Sequence, residues 1–273
     1  MKFQFVIAQL FSLKNFQDYE IANCFFEVIN RFGNTFVPDK FDYYEPLKCK
    51  YSPENYTNAI ELWLNTKANS VSEFKEFAGS HIILKKSGGN KIDYNIVWKK
   101  DNMASFNTIS ISISLEFFEI AKNIDLFLDF IRELTLVIEP VFVTVRNAMF
   151  NGWDEPINLS KCLPNMGWLT IYGLPYLQMI GKSQMLNTPL VKISEFGDKF
   201  VCMQSQKTIF EPIDNEIQKA IKEYLGISYF SANLNDYRNS TNLNAPVFDY
   251  SEVLFDPTKP IEEPQIKRKR NSQ

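Results

Sequence analysis

The sequence predicts an α+β fold: an antiparallel meander and hairpins with helices packed on one face, in a single large domain. Three observations predict it. Ile109, Ile111, Ile113 and Leu115 alternate with Ser110, Ser112 and Ser114, the period-two pattern of a strand with one apolar face. Ile21, Ala22, Phe25, Val28, Ile29 and Phe32 recur at three- and four-residue steps, as do Ile124, Phe127, Leu128, Ile131, Leu134 and Ile138, which is helical spacing. Turn signals at Ser87-Gly88-Gly89-Asn90 and Gly197-Asp198 separate strand-like runs short enough to be hairpins.

Residues 3–10 read as a first strand and residues 18–32 as a helix that stops at Gly33. Residues 34–52 carry Pro38 and Pro46 and no period, so they are expected to be irregular. Ser52 is a natural N-cap, with Pro53 in the first turn and Glu54 at the positive helix end, and Tyr56, Ala59, Ile60, Trp63 and Leu64 form the stripe that follows. Ile82-Ile83-Leu84 and the alternating Tyr94, Ile96 and Trp98 flank the first turn, and the serine strand completes the meander. Its serines are expected on a solvated or lightly covered sheet face. The helix over 123–138 is expected on the isoleucine face, closed by Pro140.

Val141 to Val145 and residues 167–173 read as strands, 174–181 as a short helix closing at Gly181, and 191–203 as a hairpin. A last helix starts at Asp214 and stops at Gly226. Beyond about 231 the pattern fades to apolar anchors at Val247, Phe248, Val253, Leu254 and Phe255. The expected organisation is one globular domain over 1–256, with a possible meeting of two lobes near 140–166, and a disordered basic tail over 257–273.

Composition sets the outer bounds. The 273 residues are 45% hydrophobic and 22% charged, which excludes bulk disorder. The 24 Phe, 12 Tyr and 4 Trp supply a large core, at ~150–250 Å² of burial each. The net charge is −3, but Lys267-Arg268-Lys269-Arg270 holds four positive charges, and setting these aside leaves −7 on the rest. An acidic body repels phosphate, so the folded part is not expected to bind nucleic acid; it suits a basic partner. Cys24, Cys49, Cys162 and Cys202 are widely spread with no C-x-x-C pair, which argues against a zinc ribbon and for free thiols. The apolar run after Lys2 is interrupted by Gln4 and Gln9 and reads as a strand, not a leader. No run of 18 apolar residues is present, so no membrane span is expected and a cytoplasmic protein is.

Motifs that carry chemistry are scarce. His81 is the one histidine, which excludes a histidine-rich metal site, and no G-x-S-x-G elbow accompanies it. No Walker or G-x-G-x-x-G pattern occurs, and no cofactor or metal is expected. Asp154-Glu155, Glu262-Glu263 and Asp42 with Glu45 are the carboxylate pairs available for acid–base work, which needs a separation that sequence does not fix. The aromatic-acidic runs are better read as binding surface. Asp42, Tyr43, Tyr44 and Glu45 follow Phe41 in one expected loop, and Trp153, Asp154 and Glu155 stand in another. Loops on a rigid scaffold carry recognition, and aromatic anchors beside acids suit a basic partner. The plainer alternative buries the aromatics and leaves the acids in water.

Gly167-Trp168-Leu169-Thr170-Ile171-Tyr172-Gly173-Leu174-Pro175-Tyr176, then Ile180-Gly181-Lys182, then Asn187-Thr188-Pro189-Leu190-Val191, resembles bacterial toxin-immunity proteins, most nearly the immunity protein 52 family. Glu45-Pro46-Leu47, Ser52-Pro53 and the Trp63 helix are compatible with it. The matching positions are aromatic and glycine markers of fold, so no functional residue carries over. The resemblance implies a non-catalytic cytoplasmic protein that binds and neutralises a cognate bacterial toxin by occlusion. A carboxylate-dependent hydrolase and a structural or phage-type assembly protein remain open on sequence alone, as does the oligomeric state.

Overall fold

A computed structural model describes residues 4–64, 79–99, 105–150, 158–189, 192–230 and 244–253. Its frame is a ten-stranded sheet in which every neighbouring pair is antiparallel. The strands are β1 (Phe5–Ser12), β2 (Lys40–Asp42), β3 (Cys49–Lys50), β4 (Gly79–Lys86), β5 (Ile92–Lys99), β6 (Asn107–Ser114), β7 (Pro140–Asn147), β8 (Leu169–Tyr172), β9 (Lys192–Phe196) and β10 (Phe200–Gln204). Their order across the sheet is β3-β2-β4-β5-β6-β1-β7-β8-β10-β9. β1 thus lies in the middle, with Leu10 opposite Ile109 of β6 on one side and Val143 of β7 on the other.

Three helices cover one face. They are α1 (Tyr19–Arg31), α2 (Thr57–Leu64) and α3 (Ala121–Ile138). The α1 start is capped by Asp18, whose carboxylate accepts the amides of Glu20 (2.7 Å) and Ile21 (3.4 Å). Gly33 follows the end of α1 with φ +61°, a conformation that favours glycine. The buried stripe of α1, Phe25, Phe26 and Ile29, meets Ile82, Tyr94, Ile111 and Val143 of the sheet in one apolar core. Phe25 and Phe26 pack edge-on against Trp63 of α2, which stacks on Trp98 of β5 at 5.9 Å. Phe32 and Phe36 bring α1 onto Phe130 of α3. Each such side chain contributes roughly 1.5–3 kcal/mol on leaving water.

The expectation of helices on one face describes the first half of the sheet. Over β7, β8 and β10 a second layer covers the opposite face. It comprises α4 (Leu174–Tyr176), a π-helical turn (Leu177–Gly181), α5 (Lys182–Leu186) and α6 (Asn215–Leu225). The reason lies in the strands: β7, β8 and β10 are buried on both sides, with Val143, Ile171 and Cys202 in the first core and Phe142, Tyr172, Val201 and Met203 in the second. Tyr176, Ile180, Met185, Ile221 and Leu225 cover the second set.

Other boundaries also differ from expectation. Residues 34–52 hold the two short strands β2 and β3, too brief to show a period. Ser52 is not the cap of α2. Its hydroxyl donates to Glu54 at 2.5 Å, and the carbonyl of Tyr56 takes the amides of Ala59 and Ile60 instead. The helix expected to close at Gly181 continues into α5, because Gly181 at φ +100° absorbs the break. Pro140 starts β7; α3 is closed by Glu139 in the left-handed conformation, φ 44°. Val247 is 99% exposed and is no anchor, whereas Phe248 packs on Phe106 and Val253 is buried. Leu254, Phe255 and the tail 257–273 lie outside the described residues.

Candidate partner-binding surface

The face of β4, β5, β6 and β1 opposite α1–α3 carries the polar alternates: Ser110 pairs with Gln9 on one side and Asn95 on the other, and Ser112 with Ile7 and Asp93. Ser110 and Ser112 are half-buried, as a lightly covered sheet face requires. Arg146 of β7 is largely buried beside this row and donates to the Gln9 side-chain carbonyl at 2.9 Å.

The loop between β2 and β3 folds onto the edge of this face, and Asp42 holds both ends of it. One carboxylate oxygen accepts the amide of Tyr43 (2.8 Å) and the other that of Lys48 (3.2 Å). Tyr43 is buried and its hydroxyl donates to the carbonyl of Leu62 at 2.7 Å; burial pushes its pKa up. Tyr44 projects outward, 45% exposed, with its ring edge-on to His81 of β4 at 5.3 Å. The Nε2 of His81 lies 2.6 Å from the Tyr43 carbonyl oxygen, so one imidazole braces two successive loop residues. Glu45, before a cis bond to Pro46, forms an ion pair with Lys85, which also lies 3.8 Å from Asp93. The hydrogen bond that Lys85 donates to the Glu45 carboxylate raises the Lys85 pKa, and burial raises that of Asp93 against the pull of Lys85.

Of the four loop residues expected at a binding surface, the fold therefore spends Asp42 and Tyr43 on the loop itself and leaves Tyr44 and Glu45 as its outward pair. Trp153, Asp154 and Glu155 lie outside the described residues. The structure also shows a surface that the sequence reading missed. A groove of about 510 Å³ runs between α3 and the β9–β10 hairpin, over Leu128, with Asp125 on one bank and Lys192 and Lys207 on the other. A neighbouring hollow of about 210 Å³ shares Leu128 and adds Phe196 and Cys202. Arg132 of α3 stands 5.7 Å over the Phe196 ring. Burial pushes the Cys202 thiol up to about 12, so it is a hydrophobic wall and not a nucleophile at neutral pH.

Among the described residues no group of three or more His, Cys, Asp and Glu side chains is placed to hold a metal ion, and no helix is long and apolar enough to cross a membrane. The chain matches no protein-family model and no curated protein sequence, so the resemblance to immunity protein 52 proteins has no family match beside it. Among solved structures it is similar to the Pseudomonas aeruginosa T6SS protein PA0821, with a TM-score of 0.53 and 12% identity over 92% of this chain and 82% of that one. At that identity the likeness is one of fold.

Proposed function

We propose that this protein is an immunity-type inhibitor, which binds a cognate bacterial toxin in the cytoplasm and neutralises it by occlusion, without chemistry of its own. The observation that carries the reading is the braced β2–β3 loop. Its backbone is fixed by Asp42, Tyr43 and His81 before any partner arrives, and it offers an aromatic ring and a carboxylate outward. A loop already ordered loses little further entropy on binding, and Tyr is a favoured interface anchor. The fold likeness to a T6SS protein and the −7 charge outside the basic tail support the same reading, the second by steering a basic toxin.

Co-expression with the product of the adjacent reading frame tests it. Rescue of growth from a toxic neighbour is the expected result; unchanged toxicity overturns the reading. The Tyr44→Ala, Glu45→Lys variant should then associate with that toxin more slowly, and the deficit should shrink as salt rises. Association unaltered by both changes would remove this loop from the interface.

A further inference from the structure

Residues 244–253 cross the second helical layer without forming a helix or strand. Their hold on the body is made of separate contacts, most of them from side chains. The Phe248 ring meets Phe106 edge-on at 4.9 Å and Tyr176 at 6.0 Å. Tyr250 packs on Phe106 at 5.6 Å, and its hydroxyl lies 3.1 Å from that of Ser160. Glu252 pairs with Lys14 at 3.0 Å, just beyond β1. Asn244 donates its backbone amide to the Lys161 carbonyl (3.0 Å) and its side-chain amide to that of Ser228 (2.7 Å).

Over 247–251 these contacts alternate: Phe248 and Tyr250 face the body, while Val247 is fully exposed and Asp249 and Ser251 are exposed; the chain then turns, the Val253 amide donating to the Tyr250 carbonyl, so that Val253 is buried and Glu252, itself exposed, reaches Lys14. The alternation is how an extended peptide is read in a groove, by every second side chain. The receiving surface is assembled from parts distant in sequence: Lys14, Phe106, Ser160 and Tyr176. It is aromatic at one end and cationic at the other. Such a surface is continued inward by Phe11 and Phe142, which lie 6.4 Å from Phe106 and 5.9 Å from Tyr176 respectively.

We propose that this surface is a peptide-binding site filled in cis: it takes a short extended segment with aromatic residues two apart, followed by a turn that buries an aliphatic residue beside a carboxylate, and 244–253 is its displaceable occupant. Two aromatic rings, the buried Val253, one exposed ion pair and the hydrogen bonds of Asn244 and Tyr250 must order ten residues that share no ladder with the sheet. Such segments belong to the low-stability end of local opening. Tethering gives the occupant a high effective concentration, which keeps free competitors out of the intact protein. The inference is independent of the inhibitor reading.

The test uses the full chain and a fluorescent peptide with the sequence of residues 244–253. A Phe248→Ala, Tyr250→Ala variant vacates the site. It should keep the wild-type circular dichroism and bind the peptide at least about tenfold more tightly than wild type does. A control peptide with both aromatics replaced by alanine should bind neither. A folded variant that fails to bind, or binds no better than wild type, overturns the proposal. If the variant does not fold, hydrogen exchange on the wild-type chain decides. Exchange of the Asn244 amide, which is bonded to the Lys161 carbonyl of the body, at least about a hundredfold faster than that of β1 and β7 amides supports a displaceable occupant. Exchange as slow as in those strands refutes it.

Discussion

Tyr44 and His81 meet edge to face at 5.3 Å across the gap between the β2–β3 loop and β4, and the same imidazole holds the carbonyl of Tyr43. Replacing His81 by alanine removes both contacts and leaves the scaffold intact. We expect a loss of about 1 kcal/mol in urea unfolding. We also expect faster proteolysis within 43–48 at an unchanged global fold. A loop no easier to cut in the variant would show that Asp42 alone sets its shape.

Trp63 and Trp98 stack on each other, yet their indole N–H groups differ. That of Trp63 donates to the Phe16 carbonyl, whereas that of Trp98 finds no acceptor among the described residues. Both changes to phenylalanine remove similar area, but Trp63→Phe also strands a buried carbonyl. It should cost about 1 kcal/mol more than Trp98→Phe by denaturant titration. Equal losses would mean that the hydrogen bond contributes nothing net.

Asp93 and Glu139 should respond to pH with opposite signs. Burial holds the Asp93 carboxyl above its ordinary range, so the folded state is penalised once the pH exceeds that range. Asp93→Asn should therefore raise the unfolding midpoint at neutral pH, with the gain fading as the pH falls below the carboxylate range. Burial also works to raise Glu139, but Lys199 and Lys14 outweigh it and hold the carboxyl below its ordinary value. Its contribution is present above that ordinary value and is lost as the pH falls through the depressed one. Glu139→Gln should lower the midpoint at pH 7 and leave it unchanged in strong acid. Thermal melts from pH 2 to 8 read both.

Gly173 follows β8 where the chain presses on β7. A Cβ there would stand 2.4 Å from the Pro140 carbonyl oxygen and 2.9 Å from the Val141 Cα, both backbone atoms that cannot swing aside. Gly173→Ala should destabilise by about 1–3 kcal/mol or more. Gly88→Ala, with nothing within 4 Å, serves as the control and should melt near wild type.

The elements that could be read in the sequence were those whose own spacing reports the buried side. The Ile/Ser alternation of β6 and the stripes of α1, α3 and α6 are examples. What escaped depends on partners far along the chain. β2 and β3, with three and two residues, exist because Phe41 pairs with Cys49 on one side and with Leu84 of β4 on the other. The second helical layer is dictated by β7, whose eight residues are all buried and so carry no alternation to read. The loop at 42–45 stood out by composition. The bracing of Tyr44 and Tyr43 by His81 did not, since it joins residues nearly forty positions apart. The groove beside α3 left no local sign either, because α3 and the β9–β10 hairpin meet only in the finished fold.

The central place of β1 has a kinetic consequence during synthesis. Both of its neighbours come from residues made roughly 100 or more positions later, which at ~5–20 residues per second leaves its apolar run unpaired for several seconds on the ribosome. Over that interval Phe5–Phe11 is an unpaired apolar strand, the kind of segment that aggregates or is captured by chaperones until β6 and β7 arrive.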